Sequence, residues 1–469
     1  MPLSGLGRAV QSAIYRAGAL GHRPRVPTDG AQLEHAAARV MSARAFAYVA
    51  GSAGSETAAR ANRSAFDRWQ VLPRVLVDAS ERDAGVQLFG RRHASPFLVA
   101  PIGALSAVHP DADLAVARGA REQGTAMVIS SQGSVPMEEV ARQLAGSGHW
   151  FQLYWSSNDD LVASLVARAE ACGSEAIVVT LDTVHLGWRP RDLDLGHLPF
   201  ARGEGIAQYT SDPVFQRLVA DRVRAGAGPA SSAGSGLLPS TGHKIAVERS
   251  QSPGREVTSS LSTSLSTEAE AEPRPTPRAL GTLLSISRHY PGSTRENLRS
   301  PEPRAAVETF LDVFSRPNLS WADLPRLREL TKLPIVLKGI LRADDARRAL
   351  DEGVDGIWVS NHGGRQLDRS IAALDALVDV APAARDRAPE VPVIFDSGVR
   401  TGADAFVALA LGATAVGVGR PHVYGLALAG DEGVSEVLRN LRAELDLTMA
   451  LTGCRSLSDI STDLVRARP

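Results

Sequence analysis

The amino-acid sequence predicts an α/β protein: a closed, parallel (β/α)8 barrel of the TIM type with an N-terminal helical cap. The first observation behind this prediction is a repeated junction, in which a glycine ends a helix and an apolar run follows, as in "REQGTAMVIS" and "DEGVDGIWVS". Glycine is the usual left-handed cap of a helix, and short runs of β-favouring apolar residues indicate strands buried on both faces.

The second observation is the number of these runs. There are eight of them, and helical patterns separate most of them. Eight alternating strand–helix units favour closure into a barrel. An open, doubly wound sheet is the alternative, but no dinucleotide-binding glycine fingerprint supports it.

The predicted elements follow the chain in order. Residues 1–95 contain short helical patterns such as "QLEHAAARVMSARAFAYVAG" and form the predicted cap. Residues 96–465 form the predicted barrel domain. Its eight strands are expected at 97–103, 126–130, 150–154, 176–182, 334–340, 356–361, 391–398 and 414–420.

A long excursion separates the fourth and fifth predicted strands. Its middle, residues 231–278, is rich in Ser, Gly, Pro and Thr and poor in aromatic residues. Such a composition buries too little apolar surface to offset the entropy of ordering, so we expect a mobile loop rather than a small independent domain. We assign 221–305 as a low-complexity insertion or lid region, making the loop after strand four long and partly disordered.

The composition excludes several classes of protein. Of the 469 residues, 44% are hydrophobic and 22% charged, with a formal net charge of -1, so we expect neither a nucleic-acid nor a membrane partner. Two cysteines, Cys172 and Cys454, make neither a disulfide framework nor a zinc spacing, and no metal site is expected. With no secretory signal and no apolar run long enough to cross a bilayer, the chain is expected to be cytoplasmic.

Polar residues stand at the C-terminal ends of nearly all predicted strands, which is where parallel barrels place their active sites. A single lysine or aspartate there is more often a solvated loop residue, but their conjunction indicates one site. The residues in chain order are Gly103, Ser130, Ser131, Gln152, Tyr154, Thr180, Asp182, Lys338, Ser360, Asn361, His362, Arg365, Asp396, Gly398, Arg400, Gly419 and Arg420.

The last two strands end in "FDSGVRTG" and "GVGRP", each with a glycine and an arginine just before a predicted helix. Backbone amides, helix N-termini and guanidinium groups together form an anion-binding site. The pattern predicts a phosphate-bearing cofactor or substrate.

Acid–base residues stand on the other side of the same mouth. His362 can serve as a base near neutral pH, and Asp182 can raise its basicity. Arg189 and Arg365 are suited to binding one carboxylate. The residues alone predict removal of a proton from a small carboxylic acid beside a phosphate-bearing group.

The motif "SNHGGRQLD" resembles the active-site signature of the FMN-dependent α-hydroxy acid oxidising enzymes. The resemblance runs from about residue 30 to 465, outside the low-complexity loop, and includes "YVAGSAGSET", "APIG", "FQLYW", "TLDT", "LKGI", "FDSGVRTGAD" and "LTMALTGCRSL". Within this family, the stretch "TLDTVHLGWRPRDLDLGHLPFARG" is most similar to lactate 2-monooxygenase.

The resemblance implies roles for individual residues. His362 would be the catalytic base with Asp182 as its partner, and Lys338 would stabilise the reduced flavin. The residues expected to bind substrate are Tyr48, Tyr154, Arg189 and Arg365. The residues expected to contact FMN are Pro101, Ile102, Gly103, Ser130, Gln152, Thr180, Lys338, Ser360 and Asp396, with Gly398, Arg400, Gly419 and Arg420 at its phosphate.

The leading prediction is therefore FMN-dependent oxidation of an L-2-hydroxy acid, L-lactate first, with O2 as acceptor and with decarboxylation to acetate left open. The resemblance also implies a homo-oligomer, a tetramer or octamer. Three alternatives stay open: a quinone-linked dehydrogenase, a non-redox lyase or isomerase using Lys338, and a binding protein that has lost the chemistry.

Overall fold

A computed structural model describes residues 5–226 and 276–468. Eight parallel strands form a closed barrel in sequence order, each paired with the next and the last paired with the first. Three short strands, β1 Trp69–Val71, β2 Val86–Leu88 and β3 Arg91–His93, precede the barrel, so the barrel strands are numbered β4 to β11. Their bounds are Phe97–Val99, Ala126–Ile129, His149–Leu153, Ile177–Thr180, Ile335–Ile340, Gly356–Val359, Val393–Phe395 and Ala415–Val418.

The predicted (β/α)8 barrel is confirmed. All eight predicted strands exist, but most end before their predicted C-terminal boundary. β4, for example, ends at Val99 rather than at 103. The residues beyond it are Pro101 and Gly103, which cannot extend a regular ladder as apolar β-branched residues do. The polar strand ends therefore lie in the loops of the barrel mouth.

Helices surround the barrel. The first four are α1 Leu6–Ala19, α2 Gly30–Val40, α3 Ala43–Ala50 and α4 Thr57–Asp67. The next six are α5 Ala112–Glu122, α6 Met137–Gln143, α7 Asp159–Ala171, α8 Pro190–Asp194, α9 Ala207–Thr210 and α10 Pro213–Gly226. The others are α11 Pro277–His289, α12 Thr294–Asn297, α13 Glu302–Val313, α14 Leu324–Leu330, α15 Ala343–Asp351, α16 Ala373–Arg387, α17 Gly402–Ala410 and α18 Arg420–Thr452.

Two buried clusters account for the packing. A small cluster fills the barrel interior and includes Leu98, Trp150 and Trp358. A much larger cluster lies between the strands and the surrounding helices. Inward and outward residues alternate along each strand, so both faces of the sheet are buried, as the continuous apolar runs of the sequence predict.

The N-terminal region covers both ends of the barrel. Helix α3 reaches the C-terminal mouth, where Tyr48 and Val49 line the main cavity. A short hairpin, β2 Val86–Leu88 with β3 Arg91–His93, closes the other end by packing Leu88 and Phe89 against Trp150. A further strand, β1 Trp69–Val71, pairs with the C-terminal β12 Val465–Ala467. Four helices, α1 to α4, lie between residues 6 and 67, where short helices were predicted, whereas 69–93 contain short strands.

Between β7 and β8 the chain forms helices α8 to α14. The predicted mobile loop, 231–278, falls almost entirely outside the described residues, and its last two residues begin α11. The flanks of the predicted 221–305 insertion are helical, in α10 and in α11 to α13. Among the helices of the two described ranges, none has the length and apolarity to cross a membrane.

Candidate active site

The main cavity opens at the C-terminal ends of the barrel strands and encloses about 1000 Å³, its open mouth included. Most of the predicted site residues line it. They are Tyr48, Pro101, Ile102, Gly103, Tyr154, Arg189, Lys338, His362, Arg365, Asp396, Gly398, Arg400, Gly419 and Arg420.

The remaining predicted residues, Asp182, Ser130, Gln152, Thr180 and Ser360, are not part of the cavity lining, although each is bonded to the site. Gln152 accepts from the Ser130 hydroxyl and donates to Thr180, at 3.0 Å each. These three side chains are buried and follow one another on β5, β6 and β7. They form a hydrogen-bonded row across three adjacent strand ends.

His362 and Asp182 form a hydrogen-bonded pair. His362 Nδ1 lies 2.9 Å from Asp182 Oδ1, and both side chains are largely buried. His362 has a left-handed backbone with φ of 57°, and its N–H donates to the Ser360 hydroxyl. The two glycines that follow are also left-handed, and a side chain at Gly364 would meet the backbone of Ala59 at 2.6 Å. The loop is glycine-rich because it packs directly against α4.

The electrostatics of this pair leave His362 neutral and Asp182 ionised. Burial lowers the pKa of His362, and the carboxylate of Asp182 only partly offsets this effect. Burial alone would raise the pKa of Asp182, but attraction to His362 and Lys338 outweighs burial and lowers it. With Nδ1 bonded to the carboxylate, Nε2 is the nitrogen that can accept a proton.

Two arginines face the same cavity as His362. Arg365 donates through Nη1 to the carbonyl oxygens of Tyr48 and Gly51, and its guanidinium lies over the Tyr48 ring at 5.0 Å from the centroid. Arg189 donates to the carbonyl oxygen of Arg365 at 3.1 Å and to the side-chain oxygen of Gln366 at 2.6 Å. Within the described chain, neither guanidinium forms an ion pair, so both charges are available to a ligand anion.

Burial and the nearby Arg365 lower the pKa of Arg189 to about 10. The guanidinium stays protonated at neutral pH, but burial and repulsion by Arg365 destabilise its charge. A carboxylate bound between Arg189 and Arg365 would offset this destabilisation. Two phenols border the same space. Burial raises the pKa of Tyr48 and that of Tyr154, so both remain neutral hydrogen-bond donors.

Lys338, in β8, lines the same cavity. Its ammonium donates to the Ser360 hydroxyl at 3.0 Å and lies 3.5 Å from Asp396 Oδ2, with all three side chains buried. Ser360 in turn donates to Asp396. The carboxylate holds the lysine as a fixed cation at the end of β8.

Arg420 is a third cation of the site that forms no ion pair among the described residues. It donates to three carbonyl oxygens, those of Val49, Gly51 and Gly363, and to the Ser52 hydroxyl, at 2.8–3.1 Å. Burial lowers the pKa of Arg420 to about 10. Neutral oxygens fix the direction of the guanidinium without neutralising it, which suits a phosphate.

The two predicted helix N-termini behave differently. At α17, the first backbone amides are occupied: Asp404 accepts from the N–H groups of Arg400 and Thr401, and Glu444 accepts from Gly402. These three amides at α17 are therefore bonded to carboxylates of α17 and α18, and anion binding at this N-terminus stays a prediction. At α18, Gly419 precedes the first turn and has no side-chain cap. Gly419 lines the cavity, and a Cβ added to it would meet nothing closer than 3.9 Å.

Several residues of the site were not assigned from the sequence. Ser397, with a left-handed φ of 83°, accepts from the N–H of Gly363 at 2.9 Å and donates to Asp396. Its place in "FDSGVR", between two predicted residues, was the available signal. Phe200 and Phe314 also line the cavity, but as apolar residues in the β7–β8 region they carried no signal. Gln366, inside "GGRQLD", holds Arg189 and the loop after β7.

The fold and the site define a barrel enzyme that takes a proton from a small carboxylate substrate beside a phosphate-bearing group. The sequence profile of the FMN-dependent dehydrogenase family matches residues 37–467, and the chain belongs to this family. It is therefore an FMN-dependent enzyme that oxidises 2-hydroxy acids.

Named relatives span nearly the whole chain. The FMN-dependent alpha-hydroxy acid dehydrogenase qulF of Penicillium citrinum is 36% identical, over 97% of this chain and 95% of its own. An L-lactate oxidase of Lysinibacillus sphaericus is 35% identical, over 93% and 92%. A solved structure of mandelate oxidase with (S)-4-hydroxymandelic acid has a TM-score of 0.69 at 32% identity, covering 94% of this chain and 99% of that one.

The residues present fit FMN. The α18 N-terminus, which has no side-chain cap, and Arg420, held only by neutral oxygens, would bind its phosphate. Lys338, held by Asp396 and Ser360, would place a cation beside its ring.

Proposed function

We propose that the chain oxidises L-lactate to pyruvate with O2 as electron acceptor. The observation that carries this proposal is the pairing of a neutral His362, held by Asp182 at 2.9 Å, with two unpaired arginines on one cavity. Oxidation of a 2-hydroxy acid requires both groups. The arginines bind its carboxylate, and the base takes a proton that is lost when the neighbouring carbon, which carries the hydroxyl group, is oxidised.

His362 accepts the substrate proton at Nε2. Asp182 stabilises the resulting imidazolium and fixes the orientation of the ring through Nδ1. Asp182 Oδ2 is buried and has no hydrogen-bond partner among the described residues. The imidazole of His362 is therefore the side chain to which the Asp182 carboxylate is hydrogen-bonded. Proton transfer to a positioned base of this kind contributes about 10²–10⁴-fold to a rate.

Arg189 and Arg365 bind the substrate carboxylate, and Tyr48 and Tyr154 donate hydrogen bonds to the substrate. The arginines are oriented by neutral oxygens, so the charge of both is retained for the carboxylate. The raised pKa values of the two tyrosines keep their hydroxyl protons in place.

FMN, when bound, supplies the two-electron acceptor of the reaction. Lys338, held by Asp396 and Ser360, provides a cation where the reduced ring gains negative charge. Gly398, Arg400, Gly419 and Arg420 hold the phosphate. The other residues assigned to FMN are Pro101, Ile102, Gly103, Ser130, Gln152 and Thr180.

The substrate side of the cavity favours a small side chain. Phe200 lines it and is fixed by an edge contact with Tyr48, 6.4 Å between ring centroids, and by Phe310 at 5.5 Å. A wall held in this way cannot easily move aside for a bulky group. L-Lactate, with its single methyl group, is therefore the first candidate.

An aryl 2-hydroxy acid is the second candidate. Leu186, Phe200 and Phe314 give the cavity an apolar border that could contact an aromatic ring. A 4-hydroxymandelate oxidase of Amycolatopsis orientalis is 34% identical over 91% of this chain. The ratio of kcat/KM for L-lactate to that for (S)-mandelate separates the two candidates, and a ratio well below one would contradict the first.

The acceptor and the fate of the product are tested together. Oxidase names among the relatives support O2. The motif resemblance to lactate 2-monooxygenase is the reason to test for decarboxylation before release. Aerobic turnover of L-lactate should consume O2 and give either pyruvate with peroxide or acetate with CO2. Turnover with a quinone but not with O2 would contradict the proposal. The homo-oligomer stays a prediction, which light scattering of the purified protein checks.

The lyase reading of Lys338 gains no support from the site. A Schiff base needs a free amine, whereas Lys338 Nζ is already bonded to the Ser360 hydroxyl at 3.0 Å and lies 3.5 Å from Asp396 Oδ2.

A further inference from the structure

One side chain of the site uses its full hydrogen-bonding capacity, although neither a catalytic nor a binding role has been assigned to it. Gln366 follows Arg365 in the loop after β9. Its side-chain oxygen accepts from Arg189 Nη2 at 2.6 Å and from the N–H of Gly187 at 3.4 Å. Its amide nitrogen donates to the carbonyl oxygens of Asp182 at 2.7 Å and His185 at 3.0 Å. A glutamine side chain has two donors and two acceptor sites, and all four are used.

All four partners belong to the loop 182–189 that follows β7. This loop contains both Asp182 and Arg189 and has no regular secondary structure before α8 begins at Pro190. Its middle is exposed at His185, Leu186 and Trp188. Little apolar burial therefore holds the middle of the loop, and polar contacts must fix its shape.

The loop packs closely on the segment that carries Gln366. A Cβ on Gly187 would meet the carbonyl oxygens of Arg365 and Gln366 at 2.5 and 2.6 Å. Arg189 also donates to the carbonyl oxygen of Arg365. The two loops thus meet backbone to backbone, and the amide of Gln366 sets their register.

We propose that Gln366 is a positioning residue: it fixes Asp182 and Arg189 relative to His362 and Arg365, and it does so with a neutral group that leaves the charge of Arg189 for the substrate. This inference rests on the proposed role of Arg189 in binding the substrate carboxylate. A glutamate would keep the contact with the guanidinium but neutralise it in an ion pair, and it would lack the two N–H donors that hold the carbonyl oxygens of Asp182 and His185.

The neutrality of Gln366 has a parallel in the same site. Arg365 is held by the carbonyl oxygens of Tyr48 and Gly51, and Arg420 by three carbonyl oxygens and a hydroxyl. Among the described residues, the guanidinium groups of Arg189, Arg365 and Arg420 form no ion pair with the protein. Uncharged acceptors therefore orient three of the cations that the proposed function assigns to an anionic ligand, whereas the fourth, Arg400, lies 3.8 Å from Glu34 Oε2.

The test compares Gln366→Glu with Gln366→Met, which keeps the length but removes all four hydrogen bonds, and with Leu367→Met as the matched control. Leu367 is the next residue and is 69% exposed. The Kd of pyruvate is measured on the FMN-loaded enzyme from the change in its flavin spectrum, with KM and kcat for L-lactate alongside. Flavin content is checked for each variant.

We expect both variants to lower kcat at least tenfold while FMN is retained, because neither glutamate nor methionine has the amide N–H groups that hold the carbonyl oxygens of Asp182 and His185. Gln366→Glu should also raise the Kd of pyruvate and the KM at least tenfold above the values of Gln366→Met, because only the glutamate neutralises Arg189. A merely structural role would lower the melting temperature of both variants without this difference in Kd and KM between them. Values within twofold of the parent in both FMN-loaded variants would overturn the inference.

Arg189→Leu, alone and combined with Gln366→Glu, separates this inference from the proposed function. If Arg189→Leu weakens pyruvate binding and abolishes any further effect of Gln366→Glu, the positioning role is supported. If Arg189→Leu weakens binding but both Gln366 variants do not, only the positioning role fails. If Arg189→Leu leaves the Kd unchanged, the assigned role of Arg189 fails and this inference fails with it.

Discussion

His362 Nδ1 and Asp182 Oδ1 lie 2.9 Å apart, although 180 positions separate the two residues in the chain. They follow β9 and β7, which are not neighbours in the barrel, since β8 lies between them. The barrel brings the base and its partner together across an intervening strand end. Lys338 lies on that strand, and Lys338 and His362 both lower the pKa of Asp182.

Replacing the base should separate catalysis from cofactor binding. His362→Gln should keep FMN and lower kcat by about 10²–10⁴-fold, because a glutamine cannot accept the proton. Steady-state kinetics and the ratio of flavin to protein check this prediction. His22→Gln, at an exposed histidine outside the site, is the control.

Replacing a phosphate-binding residue should have the opposite effect. Arg420→Ala removes an unpaired cation and its four hydrogen bonds to Val49, Gly51, Ser52 and Gly363. The variant should release FMN at least tenfold more readily, as measured by ultrafiltration, and should regain activity in excess FMN. Equal flavin loss in His362→Gln and Arg420→Ala would contradict this division of roles.

The pH dependence follows from the direction of the pKa shift at His362. Burial lowers this pKa below its ordinary value of 6.5, so the imidazole is neutral at pH 7 and is protonated only in more acidic solution. Since only the neutral form accepts a proton, kcat/KM for L-lactate should be constant near neutrality and fall as the pH decreases below 6.5. An acid limb centred above 6.5 would contradict the prediction.

Removing the partner of the base should move that limb. Asp182 raises the pKa of His362, so Asp182→Asn should shift the acid limb of kcat/KM to a still lower pH. The same substitution should lower kcat by about tenfold or more, because the imidazolium loses its stabilising charge. A limb that moves to higher pH would show that Asp182 does not act on His362 electrostatically.

A buried amide pair links the N-terminal region to the catalytic loop. Asn62 in α4 and Asn361 after β9 exchange two hydrogen bonds, of 2.7 and 2.8 Å. Asn62→Ala should lower the free energy of unfolding by about 1–3 kcal/mol, because it removes both of these hydrogen bonds and leaves the buried N–H of Ala373 without its acceptor, Asn62 Oδ1. Urea unfolding in saturating FMN checks this value, with Ser64→Ala, exposed on the same helix, as the control.

The sequence predicted the barrel well because its signal is local. Four strands are apolar runs after a glycine that caps a helix, at Gly124, Gly173, Gly353 and Gly412. The polar residues that follow most runs mark the mouth of the barrel. The left-handed glycines Gly363, Gly364 and Gly398 were likewise visible as a pattern. The self-capped N-terminus of α17 was also readable, since "TGAD" places Asp404 three residues after Thr401 as in a capping box.

Contacts between distant segments could not be predicted. The reciprocal pair of Asn62 and Asn361 joins residues 299 positions apart. The carbonyl oxygens that hold Arg420 come from Val49 and Gly51 at the end of α3 and from Gly363 after β9. Backbone carbonyls have no sequence signature, so the neutrality of the groups that orient the arginines is visible only in three dimensions. The same holds for Gln366, whose four partners lie about 180 positions away.

The most direct test of the central claim is a visible spectrum of the purified FMN-loaded protein, recorded anaerobically before and after addition of L-lactate. The account predicts flavin bands that bleach on addition of L-lactate in the parent enzyme and persist in His362→Gln. Bands that persist in the parent enzyme with L-lactate, (S)-mandelate and glycolate alike would contradict the assignment of this site to 2-hydroxy acid oxidation.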